Sequence, residues 1–187
     1  MNLEGVVKSI TTSIPRYQNH ISSLKKQGCT IIGYARKSTG RNDEENRKRL
    51  LNSMVQCLKE RSLCDTVFVS WSCSAAANIA SRDMNVNPDL LTDLIGVKGD
   101  TQSMISYINS SVTDICLVAI DFAGLSTNVG DLQNFFNTHK KLKTVLIDKL
   151  IYDNEFHEFK REAVLSDPTI LSSFDCRSKP VQRSRKV

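Results

Sequence analysis

Short apolar runs alternate with helical stripes along most of this chain. Residues 30–35, Thr66–Ser70 and Ile115–Ile120 are continuous runs rich in β-branched side chains, and residues 144–147 form a shorter fourth. Runs of this length without polar alternation read as strands covered on both faces. Between the first two, residues 43–63 place Leu50, Leu51, Met54, Val55 and Leu58 at helical spacing. The charged positions of that segment, Glu44, Glu45, Arg47, Lys48, Arg49, Lys59 and Glu60, read as a solvated face. Asn42 or Asp43 can cap its start. Residues 100–109, with Met104, Ile105 and Ile108 inward, and Val129–Thr138, with Leu132, Phe135 and Phe136 inward, read as two further helices.

The resulting order is β-α-β-α-β-α-β. It predicts an α/β fold with one doubly wound, mainly parallel sheet of about four strands, the first strand central, helices on both faces and right-handed crossovers. Residues 1–28 form a helical N-terminal extension that Pro15 is expected to interrupt. Residues 29–150 form the sheet domain. Residues 151–187 supply a helix over 153–165, ending near Asp167-Pro168, and a tail. Residues 71–88, WSCSAAANIASRDMNVNP, follow a strand and are small and polar. Such a segment is a candidate mobile active-site loop, because α/β folds place their sites beyond the C-terminal ends of parallel strands.

Composition narrows the class. The chain has 187 residues, 40% of them hydrophobic and 24% charged, which suits a single globular domain and argues against wholesale disorder. A chain of this length buries about 70% of its unfolded surface, so it needs no staple. No apolar run approaches the roughly 20 residues of a membrane span. The first fifteen residues lack a basic region followed by an apolar block, so no secretory leader is expected. The six cysteines, Cys29, Cys57, Cys64, Cys73, Cys116 and Cys176, form no C-x-x-C pair, and the histidines, His20, His139 and His157, are widely spaced. A metal site is therefore not expected, and a reducing intracellular compartment is.

Charge is unevenly placed. The net charge is +5, and residues 176–187 hold Arg177, Lys179, Arg183, Arg185 and Lys186 with no acid, which leaves 20 basic against 20 acidic residues elsewhere. A basic tail suits nucleic-acid contact or nuclear targeting, and a solvated, frayed terminus is the plain alternative.

The chemistry concentrates in residues 31–40, IIGYARKSTG, where a buried strand ends in Arg36-Lys37-Ser38-Thr39 before a helix. A hydroxyl flanked by Arg36, Lys37 and the amides of the next helix attracts a phosphate. No G-x-x-x-x-G-K-[ST] or G-x-G-x-x-G spacing is present. Ser38 and Thr39 could equally cap that helix, with Arg36 paired to Asp43 or Glu44.

Gly-Tyr-Ala-Arg-x-Ser-Thr at the end of the first strand resembles the signature of the serine recombinases, the resolvase/invertase catalytic domain. The likeness covers about residues 29–150. It implies that Ser38 is a nucleophile forming a phosphoserine bond with DNA and that Arg36 contacts the scissile phosphate. Arg82, in Ser81-Arg82-Asp83 after the second strand, matches a second phosphate ligand, and Asp121, ending Leu117-Val118-Ala119-Ile120-Asp121, matches a strand-end aspartate. Lys37 and Arg41 would add DNA contacts beside them, as would the five basic tail residues. No cofactor is implied. The implied partners are DNA and further copies of the chain, as a dimer or tetramer, with no membrane. The implied location is intracellular and DNA-associated, nuclear in a eukaryote.

The departures from the family pattern are specific. Phe122 and Leu125 stand where the family has two transition-state arginines, Ser70 ends the second strand where an acid is common, and Arg47 stands where a glutamine is common. Asp121 could instead cap a turn. Three readings stay open: an active serine recombinase of transposon-derived type, serving DNA recombination and integration; a recombinase-derived DNA-binding or assembly protein that has lost catalysis; and an unrelated flavodoxin-like, nucleotide-binding α/β module.

Overall fold

The computed structural model describes residues 3–40, 43–85 and 89–176. Five strands form one sheet in the order β2-β1-β3-β4-β5. They are β1 (Thr30–Arg36), β2 (Thr66–Ser70), β3 (Ile115–Ile120), β4 (Leu142–Asp148) and β5 (Phe156–Lys160). The first four are mutually parallel, and β5 is antiparallel to β4. Strand β1 is interior, between β2 and β3, while β3 holds the middle position.

Helices cover both faces. They are α1 (Leu3–Lys26), α2 (Glu44–Glu60), α3 (Asp89–Thr92), α4 (Thr101–Ser110), α5 (Phe122–Leu125), α6 (Val129–Thr138), α7 (Leu150–Asp153) and α8 (Arg161–Ser166). Two short 3-10 segments, Ile79–Ser81 and Pro168–Phe174, complete the described residues.

Alternate side chains of each strand enter separate cores, as a pleated strand requires. Ile31, Ala35, Val67, Val69, Cys116 and Val118 meet Tyr17 and Ile21 of α1 and Leu51, Val55 and Leu58 of α2. Ile32, Tyr34, Phe68, Leu117 and Ala119 meet Met104, Ile108, Phe136, Val164 and Phe174 on the other face. Two-sided burial is why these strands are continuous apolar runs. Each buried aliphatic or aromatic side chain contributes about 1.5–3 kcal/mol.

Gly33 of β1 lies tightly against Leu58 of α2, Cys64 and Val67. A Cβ there would lie 3.1 Å from Cys64 Sγ and Val67 Cγ2 and 3.2 Å from Leu58 Cβ. The missing side chain is what lets the helix sit this close to the strand.

Two expectations are corrected here. Pro15 does not interrupt α1, which runs through it. A proline removes one helix hydrogen bond, but Tyr17 and Ile21, four residues apart and both fully buried, anchor the helix on the sheet. Residues 153–165 are not one helix. Asn154 adopts a left-handed turn at φ 59°, the chain reverses into β5, and helix begins only at Arg161. Phe156 and Phe159 are three apart, a spacing that puts two residues on one face of a helix but on opposite faces of a strand. Phe156 stacks on Tyr17 and His20 at centroid distances of 5.0 and 5.1 Å, whereas Phe159 packs on Phe174 at 5.0 Å on the other side of the sheet. Phe156 and Phe159 of the expected helix are therefore two aromatic anchors of an edge strand.

Candidate active site at the strand ends

The chain leaves β1 toward β2 and later returns to β3 on β1's other side. The crevice beyond the C-terminal ends of β1 and β3 is thus the topological switch point, where open α/β sheets bind ligands. An open cleft of about 390 Å³ lies there. Arg36, Lys37 and Ser38 enter it from β1, and Ile120, Asp121, Ala123 and Gly124 from β3 and α5. Met54 and Cys57 of α2 and Ile151 and Tyr152 of α7 complete its walls. A wider groove of about 630 Å³ follows α2 past Lys48, Asn52, Lys59 and Ile95, but it contains none of the strand-end groups.

Ser38 is exposed, and its hydroxyl makes no hydrogen bond to the described residues. It does not cap α2. That role falls to Asp43, whose Oδ1 accepts the Asn46 amide at 2.6 Å. With Glu44 and Glu45 following, the first turn of α2 is acidic, which opposes a phosphate there. The half-buried Lys37 is the cation beside Ser38, and its ammonium also makes no bond to the described residues.

Arg36 ends β1 and is buried. It pairs with neither Asp43 nor Glu44. Its Nη1 donates to the Cys73 carbonyl at 2.7 Å, and Nε and Nη2 both donate to the Ala123 carbonyl, Nε at 2.9 Å. One guanidinium therefore ties β1 to the segment after β2 and to α5. Burial pushes its pKa below the usual arginine range, and the nearby Arg82 acts in the same direction.

Arg82 does not line the cleft. It is 2% exposed and donates to the carbonyls of Leu125 (2.7 Å), Ala77 (2.9 Å) and Ala75 (3.2 Å) and to the Tyr34 hydroxyl (3.3 Å). Its Nε is buried without a partner. Thr101 meets the same Tyr34 hydroxyl at 3.0 Å, and burial raises the phenol's pKa, so it stays protonated.

The segment read as a mobile active-site loop is anchored at several positions of its described part, residues 71–85, while Ser74, Ala76, Asn78, Ala80, Ser81, Met84 and Asn85 are exposed. Trp71, Cys73, Ala75, Ile79 and Arg82 are buried, and the Ile79 amide donates to Asp131 at 2.8 Å. Its small residues let buried arginines reach backbone carbonyls.

Arg47 is the residue that the sequence pattern misplaced. It is buried, not solvated, and donates to the carbonyls of Ser38 (3.0 Å), Trp71 (3.1 Å) and Gly40 (3.2 Å). Its position four residues before Leu51 puts it on the apolar stripe of α2, which was the available signal. Among the described residues, none of Arg36, Arg47 and Arg82 forms an ion pair with a carboxylate. Three buried cations therefore rest on backbone carbonyls and, for Arg82, the Tyr34 hydroxyl, an arrangement that favours an anion nearby.

Asp121 closes β3 with φ 64° and ψ 156°, a region that L side chains rarely adopt. Its carboxylate accepts the Phe122 amide at 2.8 Å and so caps α5. Strain of this kind costs about 1–3 kcal/mol and gathers at functional sites. Ala123 and Gly124 stay in the cleft lining, whereas Phe122 and Leu125 turn away from it. Phe122 packs edge-on against Phe174 at 5.0 Å, and Leu125 is fully buried in the same core.

The cleft thus brings together Arg36, Lys37, Ser38 and Asp121, with Arg82 buried behind them. Arg41 and the tail cations Arg177, Lys179, Arg183, Arg185 and Lys186 lie outside the described residues, as do Asn42 and residues 86–88. No family model, curated protein or solved structure matches the chain.

Proposed function

We propose that this chain is a recombinase-like DNA-binding protein that seats a backbone phosphate against Ser38 and Lys37, and that its strand cleavage is slow or absent. The observation that carries the reading is a Ser38 hydroxyl and a Lys37 ammonium at the switch point that bond no described residue, backed by buried arginines without carboxylate partners among the described residues. The motif likeness of residues 33–39 supplies the substrate class. In this reading the chain works as an oligomer on DNA.

The reaction it would perform is transesterification. Ser38 Oγ bonds to phosphorus, the bond from phosphorus to one sugar oxygen breaks, and the serine proton ends on that departing oxygen. Oxidation states are unchanged and the phosphodiester is conserved as a phosphoserine, so the step reverses to rejoin strands. Its transition state needs several cations around the phosphoryl oxygens. Arg36 already gives three of its N–H groups to carbonyls, Arg82 is held behind the cleft, and Phe122 and Leu125 are core residues. Loss of one such donor costs about 10²–10³ in rate, which argues for binding over cleavage.

The test is incubation with supercoiled DNA at low salt, followed by a binding assay and a denaturing gel for a covalent protein–DNA adduct. Binding with at most a trace of adduct is expected, and Ser38→Ala should remove that trace while binding persists. Efficient cleavage by the native chain would overturn the attenuated site. Absence of DNA binding at low salt would overturn the whole reading and leave an α/β module of another kind.

A further inference from the structure

The cleft that holds Ser38 is also lined by α7, a single helical turn that presents Ile151 and Tyr152 outward. Both are 67% exposed, and they are the two large exposed apolar residues that line this cleft. They are not on a loose loop. Leu150 is buried and its amide donates to Asp148 Oδ1 at 3.1 Å, while the Tyr152 and Asp153 amides both return to the Lys149 carbonyl, at 2.8 and 3.0 Å. The Lys149 ammonium pairs with Asp153 at 2.5 Å, and Asn154 ends the turn in a left-handed conformation. A braced turn thus holds a phenol ring and a branched aliphatic chain in water, which costs apolar exposure unless something covers them.

The geometry points to Ile151 and Tyr152 as a stacking platform for an unpaired nucleobase whose phosphate lies toward Lys37 and Ser38. This inference rests on the DNA-binding reading above and narrows its substrate to single-stranded or locally unpaired DNA. Charge complementarity selects this occupant over an apolar protein surface. The same cleft is lined by the Lys37 ammonium and the Ser38 hydroxyl, which bond no described residue, with the Arg36 guanidinium held on carbonyls at its base and Asp121 the carboxylate among the cleft residues. A base has an apolar face for the ring and a phosphate for the cations. In paired DNA the base faces are covered by neighbours, so the platform can engage only a base that has left the stack.

The experiment measures anisotropy of a fluorescent single-stranded oligonucleotide and of the duplex of the same sequence, with native protein, Tyr152→Ala and Tyr152→Phe. Because the ring is largely in solvent, each variant should fold as the native chain does, which circular dichroism verifies. Loss of one stacked base should weaken single-strand binding by about 5- to 150-fold in Tyr152→Ala, with a much smaller loss on duplex. Tyr152→Phe keeps the ring and should stay within about twofold of native. Native binding to both DNAs with no single-strand loss in Tyr152→Ala overturns the platform and leaves the DNA-binding reading intact. An equal loss on both DNAs overturns it as well. So does sedimentation showing a native dimer that Tyr152→Ala dissociates, which would make the patch a contact between copies. No native binding to either DNA fails both proposals together.

Discussion

Arg47 Nη1 donates to the carbonyl of Ser38 at 3.0 Å, so the first buried residue of α2 fixes the backbone of the candidate nucleophile. The same nitrogen reaches Trp71 and the neighbouring Nη2 reaches Gly40. The exposed Ser38 hydroxyl bonds no described residue, yet its main chain is held by a cation.

Arg47→Ala should therefore be costly. Three carbonyls lose their donor, and an unsatisfied buried group costs about 1–3 kcal/mol. With partial hydration of the exposed Gly40 side, the expected loss is about 2–4 kcal/mol in urea unfolding. A residue on a solvated face would change stability by no more than about 0.5 kcal/mol. A result in that lower range would show that Arg47 does not hold the loop.

Placing arginine at Phe122 and Leu125 should not restore a recombinase-like cation cluster. Both side chains point into the core around Phe159 and Phe174, away from the cleft. Each substitution buries an uncompensated charge at about 3–5 kcal/mol, against a total stability of about 5–15 kcal/mol. The double variant should be unfolded or insoluble, as thermal melts and gel filtration would show. A folded double variant with faster cleavage would mean that α5 can rotate these positions into the cleft.

Much of the fold was legible because burial on two faces writes continuous apolar runs; residues 66–70 and 115–120 were read to the residue. Strand β5 was not, because Phe156 and Phe159 fit a helical face as well as two faces of a strand. Within the site, the meeting of Arg36, Ser38 and Asp121 follows from each lying at or just beyond the C-terminal end of a parallel strand. The burial of Arg82 and Arg47 was hidden for a common reason. Apart from the Tyr34 hydroxyl at Arg82, their partners are backbone carbonyls, which every residue owns, so no complementary acid marks the pairing in the sequence.

His139 supplies a pH signature. It is buried beside Phe135, its Nδ1 lies 2.7 Å from Asn109 Oδ1, and burial holds its imidazole below the usual histidine range. The folded state thus binds the proton less readily than the unfolded state. Where the unfolded chain holds more protons, stability rises with pH, so this contribution is full above the unfolded value near 6.5 and declines as pH falls through it. The urea midpoint of the native chain should drop between pH 7.5 and pH 5.5 more steeply than that of His139→Gln. Parallel profiles would show that His139 takes up its proton in the folded state as freely as in the unfolded one.

Asp121→Gly separates strain from use. At φ 64° and ψ 156° glycine is at ease where aspartate is not, and relief of this strain is worth about 1–3 kcal/mol. The variant also loses the carboxylate that accepts the Phe122 amide, but glycine replaces a capping side chain at a cost of only a few tenths of a kcal/mol. The net expectation is a chain more stable by about 1 kcal/mol, measured by urea unfolding. If the strained carboxylate serves the cleft, whatever adduct the native protein forms with DNA should fall in the same variant. A gain in stability together with a loss of adduct would mark Asp121 as held in place for chemistry. A loss of stability would show that the cap outweighs the strain and that Asp121 is there to start α5.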